Sequence, residues 1–172
     1  MNLHSRFTPM YNAYFKHRFF QIFLSVALAG LFSINAISAT LKDIPEAKSF
    51  QAEISVALKT GYPLLVFVSL DNCPFCKIAK NNYLVPLLNE QSVPIVQVNF
   101  RHITPVLDWQ GKTWSQDQLI RALAVKVAPT VLFLGKDGRE VAPRLIGGST
   151  SDFYGAYLEE RIRTAQMTIS RD

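Results

Sequence analysis

Cysteine and histidine are scarce in this chain, and that scarcity excludes most metal chemistry. There are two cysteines, Cys73 and Cys76, and three histidines in 172 residues. Two of the histidines, His4 and His17, lie near the N-terminus, so the rest of the chain holds His102 alone. One Cys-x-x-Cys pair supplies half the shell of a structural zinc, and no metal or other cofactor is expected. Acid is missing from the first 39 residues, which carry Arg6, Lys16 and Arg18. From Thr40 onward, 15 basic side chains face 13 acidic ones, a net charge of +2. The charge of +5 on the whole chain is therefore largely an N-terminal property, and a nucleic-acid partner is not expected. Internal repeats and low-complexity linkers are absent, so a single domain is expected, and a monomer.

The acid-free N-terminus has its own pattern. Lys16-His17-Arg18 precedes an apolar run from Phe19 to Ile34, and small residues follow at Asn35-Ala36-Ile37-Ser38-Ala39. A basic, an apolar and a small-residue region in that order predict a secretory signal peptide over 1–39, cleaved after Ala39. A retained membrane anchor is the rival reading. Either places the domain over 40–172, with its core at about 45–165, in the periplasm, where disulfides persist.

Periodicity predicts alternating helices and strands. Pro45 to Thr60 reads as a helix with Phe50, Ile54, Ala57 and Leu58 on one face, ended by Gly61. Leu64 to Leu70 is a continuous apolar strand, a pattern of burial on both faces. After an Asp71-Asn72 turn, a helix opens at Pro74 and is kinked or ended by Pro86, with Leu87-Leu88 continuing in a second short segment. Val93 to Phe100 is a second strand, and 103–113 a small hairpin flanked by the packing residues Trp109 and Trp114. Ser115 with Gln118 forms a capping box for a helix to about Val125. Val131 to Leu134 is a third strand, Asp137-Gly138 a turn, and Arg139 to Ile146 an edge strand containing Pro143. A final helix is capped by Ser149 and Asp152, carries Phe153, Tyr157, Leu158 and Ile162 on one face, and frays after Ala165. His102 reads as an ordinary loop histidine.

The chemistry sits at Cys73-Pro74-Phe75-Cys76. A thiolate, not a thiol, attacks a disulfide. Cys73 lies where a buried strand hands over to a helix N-terminus, which favours negative charge. No acid stands between the cysteines, and Lys77 adds positive charge. Cys76, one turn on, is placed to resolve a mixed disulfide formed by Cys73. Phe75, at an exposed helix start, is a candidate substrate contact. A structural disulfide would close too short a loop to gain much. A copper carrier remains an alternative reading.

Cys-Pro-Phe-Cys after a buried strand, with Val127-Ala128-Pro129-Thr130 before another strand 56 residues later, resembles the thioredoxin superfamily. The Gly135-Lys136-Asp137-Gly138-Arg139 turn and the Gly147-Gly148 break match as well. The resemblance implies an α/β fold with a central mixed sheet flanked by helices, the 103–113 hairpin being an insertion. It implies a thiol–disulfide oxidoreductase acting on protein thiols and disulfides. It also implies a cis peptide at Ala128–Pro129, with Ala128, Pro129 and Thr130 beside the substrate. Asp108, Gly111, Lys112 and Ser115 resemble exported bacterial thioredoxin-like proteins associated with sulfur oxidation. That subset implies a reductant recharged by a membrane electron donor. An oxidant or isomerase is the enzyme alternative, and a thioredoxin-fold binding module the non-enzymatic one. The chain departs from ordinary thioredoxins at Asn72, at the Pro-Phe pair, and at Phe67, where thioredoxins carry a buried aspartate.

Overall fold

The computed structural model describes residues 41–147 and 153–171. The expected signal peptide, Gly148, and the Ser149 and Asp152 cap lie outside them. In order the chain forms α1 (Phe50–Lys59), β1 (Leu64–Ser69), α2 (Pro74–Ala79), a π-turn (Lys80–Leu84) and α3 (Val85–Glu90). It continues with β2 (Ile95–Asn99), β3 (Pro105–Leu107), β4 (Thr113–Ser115), α4 (Gln116–Ala122), β5 (Thr130–Leu134), β6 (Glu140–Ile146) and α5 (Tyr154–Ile169). The main sheet runs β2-β1-β5-β6. β1 is parallel to β2 and antiparallel to β5, and β5 is antiparallel to β6. This is the expected mixed sheet. Among the described residues no helix is long and apolar enough to cross a membrane.

All six β1 residues are buried, as the unbroken apolar run predicts. Side chains alternate between faces. Leu65 and Phe67 pack with Cys76, Ala79, Leu87, Leu158 and Ile162. Leu64, Val66 and Val68 pack with Phe50, Ile54, Ala57, Leu119 and Ile120 on the other face. The sheet is therefore covered by α2, α3 and α5 on one side and by α1 and α4 on the other.

The first helix begins five residues later than expected. Ser49 is its N-cap, accepting the Ala52 N–H, while the Glu53 carboxylate accepts the Lys48 N–H at 2.8 Å. Pro45 is thus not in a first helical turn. Its carbonyl accepts the Gln97 N–H, and Ala47 donates to the Gln97 carbonyl, so this segment extends the sheet along β2. An open strand edge won over the helix-start preference of proline.

Pro86 does not end the second helical run. The Val85 N–H donates to the Lys80 carbonyl, widening one turn, and Pro86 falls in the first turn of α3, where a missing N–H does no harm. Pro143 is tolerated because β6 is an edge strand whose register shifts between Val131 and Phe133. α4 ends at Ala122, short of Val125, with Ala124 in the left-handed region. Its capping box is present as expected.

The terminal helix corrects two expectations. Its buried residues are Tyr154, Leu158, Ile162 and Ala165, while Phe153 and Tyr157 are exposed. Burial begins one position after Phe153 because the helix itself begins at Tyr154. Instead of fraying after Ala165, the helix continues to Ile169, which packs against the core.

The hairpin is shifted two residues toward the C-terminus relative to 103–113, and Asp108 fixes it. Its buried carboxylate accepts the Trp114 indole N–H at 2.8 Å and the Gln110 and Lys112 N–H groups at 2.8 and 2.9 Å. Trp109 and Trp114 pack against the α1 and α4 side of the core. Gly138, at φ 72°, leaves the space that Trp109 fills; a Cβ there would overlap the indole.

Two stability predictions follow from buried polar groups. Burial pushes the Asp108 carboxyl up, but the Trp114, Lys112 and Gln110 donors and the Lys112 charge outweigh it and hold the group below its ordinary value. Its contribution is therefore present above the unfolded carboxyl's pKa and is lost as pH falls through the lower folded value. Asp108→Asn should lower the unfolding free energy at neutral pH by about 2 kcal/mol. In urea titrations the gap from wild type should narrow as pH falls from about 5 toward about 2. The second group is Tyr154, whose ring lies tilted 4.9 Å from that of Tyr83 and whose buried hydroxyl has no hydrogen-bond partner among the described residues. Burial, then the neighbouring Tyr83, push its pKa from 10.0 up to about 12. A raised folded value means stability is intact below the unfolded pKa and declines as pH rises toward the folded one. Tyr154→Phe should match or exceed wild-type stability at neutral pH, by up to about 1 kcal/mol. It should also lose less stability on titration through that alkaline window.

Candidate functional site

β1 ends at Ser69, and the chain turns through Asp71 and Asn72 before α2. Asn72 adopts φ 57°, a left-handed conformation that asparagine tolerates better than most residues. Cys73 is the N-cap of α2 and Pro74 opens the helix, as the sequence predicts. Cys73 and Cys76 are joined by a disulfide, with Cα atoms 5.2 Å apart. The Cys76 N–H donates to Cys73 Sγ at 3.1 Å. Cys73 is half-buried, whereas Cys76 is 3 % exposed and packs with Phe67, Ala79 and Leu84.

Antiparallel pairing of β1 with β5 sets Val68 opposite Thr130. That register brings the segment before β5 to the same end of the sheet as the cysteine turn. The Ala128–Pro129 peptide is cis, as the resemblance implied. Ala128 and Cys73 both pack on the core cluster that holds Cys76 and Phe67. Pro129 is buried, and its carbonyl accepts the Gly147 N–H at 2.8 Å. Thr130 is 1 % exposed and its hydroxyl donates to the Val127 carbonyl at 2.7 Å, so its side chain braces the loop from inside. Phe75 is 50 % exposed. Exposed apolar side chains also occur at Val127 and Ile146, on the segments that adjoin Pro129.

A domain description, "Thioredoxin-like domain", matches residues 50–162. The chain belongs to that family. Its adjacent cysteine pair makes it a thiol–disulfide oxidoreductase of the thioredoxin-like kind. No curated protein matches the chain. Among solved structures it is similar to oxidised mitochondrial thioredoxin 3 from Saccharomyces cerevisiae, at 18 % identity and TM-score 0.44, covering 70 % of this chain and 93 % of that one. It is also similar to the DsbH oxidoreductase, at 14 % identity and TM-score 0.49, covering 83 % and 98 %. A third is Trxlp from Edwardsiella tarda EIB202, at 25 % identity and TM-score 0.45, covering 70 % and 98 %.

Several polar residues near the pair escaped sequence reasoning. His102 is not a bystander in its loop: its Nε2 lies 3.0 Å from the Asp71 carboxylate, tying the loop after β2 to the turn that carries Cys73. Gln97 and Asn99 project from β2, the Gln97 amide donating to Asn99 Oδ1 at 2.8 Å. The buried Gln116 accepts the Asn99 N–H at 2.7 Å. The readable signal was alternation in Ile95-Val96-Gln97-Val98-Asn99, which puts two amides on one face of an otherwise apolar strand. Phe67 stands opposite Gln97 in the sheet and is fully buried, so no acid lies beneath the cysteines along β1.

Asp71, Gln97 and Asn99 line a cavity of about 630 Å³, with a mixed polar and apolar wall, that opens beside Cys73 and Cys76. Ser69, Leu70, Asn72, Pro74, Lys77, Lys80 and Asn81 complete its wall.

Proposed function

We propose that the chain is an exported thioredoxin-like reductant that exchanges disulfides with protein partners through Cys73. The carrying observation is the asymmetry of the pair. Cys73 is accessible beside the cis Ala128–Pro129 segment, and Cys76 is buried behind it. In the reduced protein the Cys73 thiolate attacks a partner disulfide, forming a mixed disulfide and expelling one partner thiol. Cys76 then loses its proton and attacks Cys73 Sγ. The second partner thiol leaves and takes up a proton, and the Cys73–Cys76 disulfide of this structure results. The N–H that Cys76 points at Cys73 Sγ supports the charged sulfur in the first step.

Export rests on the basic, apolar and small-residue order of residues 16–39. In an oxidising compartment a reductant must be recharged, so a membrane electron donor is the expected upstream partner. The pair acts in one copy of the domain, which fits a monomer. Phe75 with the exposed Val127 and Ile146 supports recognition of apolar segments flanking a partner's disulfide.

The reduction potential tests the direction of flow. A value near about −270 mV supports the reductant, and one near about −120 mV makes the protein an oxidant instead. Cys76→Ser should accumulate mixed disulfides with protein substrates, and Cys73→Ser should not. Equal trapping by both variants would reverse the assigned roles. Stoichiometric copper binding by the reduced protein, with no insulin reduction in dithiothreitol, would replace the oxidoreductase reading with a carrier.

A further inference from the structure

The disulfide has two unlike sides. β1 lies between β2 and β5, and the cysteine turn follows β1 directly. The cis Pro129 segment, with exposed Val127 and Ile146 adjoining it, stands on the β5 side. The cavity stands on the β2 side, and neither Ala128 nor Pro129 contributes to it. A volume of about 630 Å³ suits a small molecule. Two ammonium groups, Lys77 and Lys80, and four carboxamides, Asn72, Asn81, Gln97 and Asn99, are gathered on its wall, with one carboxylate, Asp71, which faces His102 at 3.0 Å. Lys80 is partly neutralised by Asp43 at 2.8 Å. Gln97 Oε1 is buried and has no hydrogen-bond partner among the described residues. An orphan acceptor at such a cavity calls for an N–H or O–H donor from outside the protein. An extended apolar peptide supplies neither the charge nor the shape that this wall complements.

We propose that this cavity is a subsite for low-molecular-weight thiols and disulfides that carry carboxylates and amide N–H groups. The lysines attract the carboxylate, and Gln97 Oε1 accepts from the amide. The small sulfur is thereby presented to Cys73 from the β2 side. In the reducing direction, one small thiolate attacks Cys73 Sγ and breaks the Cys73–Cys76 bond. Cys76 leaves as a thiolate and takes a proton. A second small thiolate attacks the sulfur of the first, forming the small disulfide and freeing Cys73. Two small thiols are oxidised and one protein disulfide is reduced, and the reverse sequence balances equally. This inference rests on the oxidoreductase reading and adds a second substrate class to the same cysteine pair.

The test uses the reduced protein and three small disulfides that differ in charge: glutathione disulfide, neutral hydroxyethyl disulfide and cationic cystamine. Oxidation of the protein is followed by stopped-flow tryptophan fluorescence at low salt, with insulin reduction measured in parallel. The expected result is saturable oxidation by glutathione disulfide, about tenfold faster than by cystamine at equal concentration, with the advantage shrinking as salt is raised. Asn81→Asp, which places a negative charge on the wall, and Gln97→Leu, which removes the acceptor, should each slow glutathione disulfide by about tenfold. Hydroxyethyl disulfide and insulin should change by less than about twofold. Linear, unsaturable rates with cystamine fastest would overturn the proposal, as would variants that slow all substrates together. Either result with insulin reduction intact removes the subsite and leaves the protein-directed reading standing. Inert insulin with saturable glutathione disulfide removes that reading and keeps the subsite.

Discussion

Pairing of β1 with strands on both edges is the constraint from which the site follows. Six consecutive residues of β1 are buried, with β2 hydrogen-bonded along one edge and β5 along the other. Neither edge is free to slip, because a shift of one residue would exchange Phe67 and Leu65 for Val66 and Val68 between the two cores. The strand therefore delivers Cys73 to a fixed point at its end. The same register, Val68 against Thr130, delivers the cis Pro129 segment to the same end from the opposite chain direction. Two segments 56 residues apart in sequence meet there because one strand is held from both sides.

Much of this was legible in the sequence because it rests on local signals. The apolar run of β1, the Ser115–Gln118 capping box and proline at the start of α2 each express their own physics within a few residues. The cysteine pair is likewise local. Where the sequence misled, a tertiary partner outbid a local preference. Pro45 looks like a helix opener, yet the exposed edge of β2 takes its carbonyl and the Ala47 N–H. Phe153 and Tyr157 fit an apolar stripe drawn one residue out of phase with the stripe that α5 buries.

The polar part of the site was least legible, because its members come from four separated segments. Glu46, Gln97, Asn99 and Gln116 form one network of amides and a carboxylate, with Glu46 accepting from both Asn99 and Gln116. None of these residue types is diagnostic alone. His102 is a similar case: only the meeting of two loops shows that it faces Asp71. A sequence reports the distances between such residues along the chain, and those range from 2 to 70 positions here.

Phe67 and Gln97, adjacent across β1 and β2, say what kind of oxidoreductase site this is. An ionisable group under the cysteines would couple the resolving thiol to a buried charge, and burial of that charge would be costly. Phe67 removes both the coupling and the cost, and it keeps β1 apolar from Leu64 to Val68. Polarity is moved instead one strand outward, to neutral amides on β2 that can hydrogen-bond but do not titrate at ordinary pH.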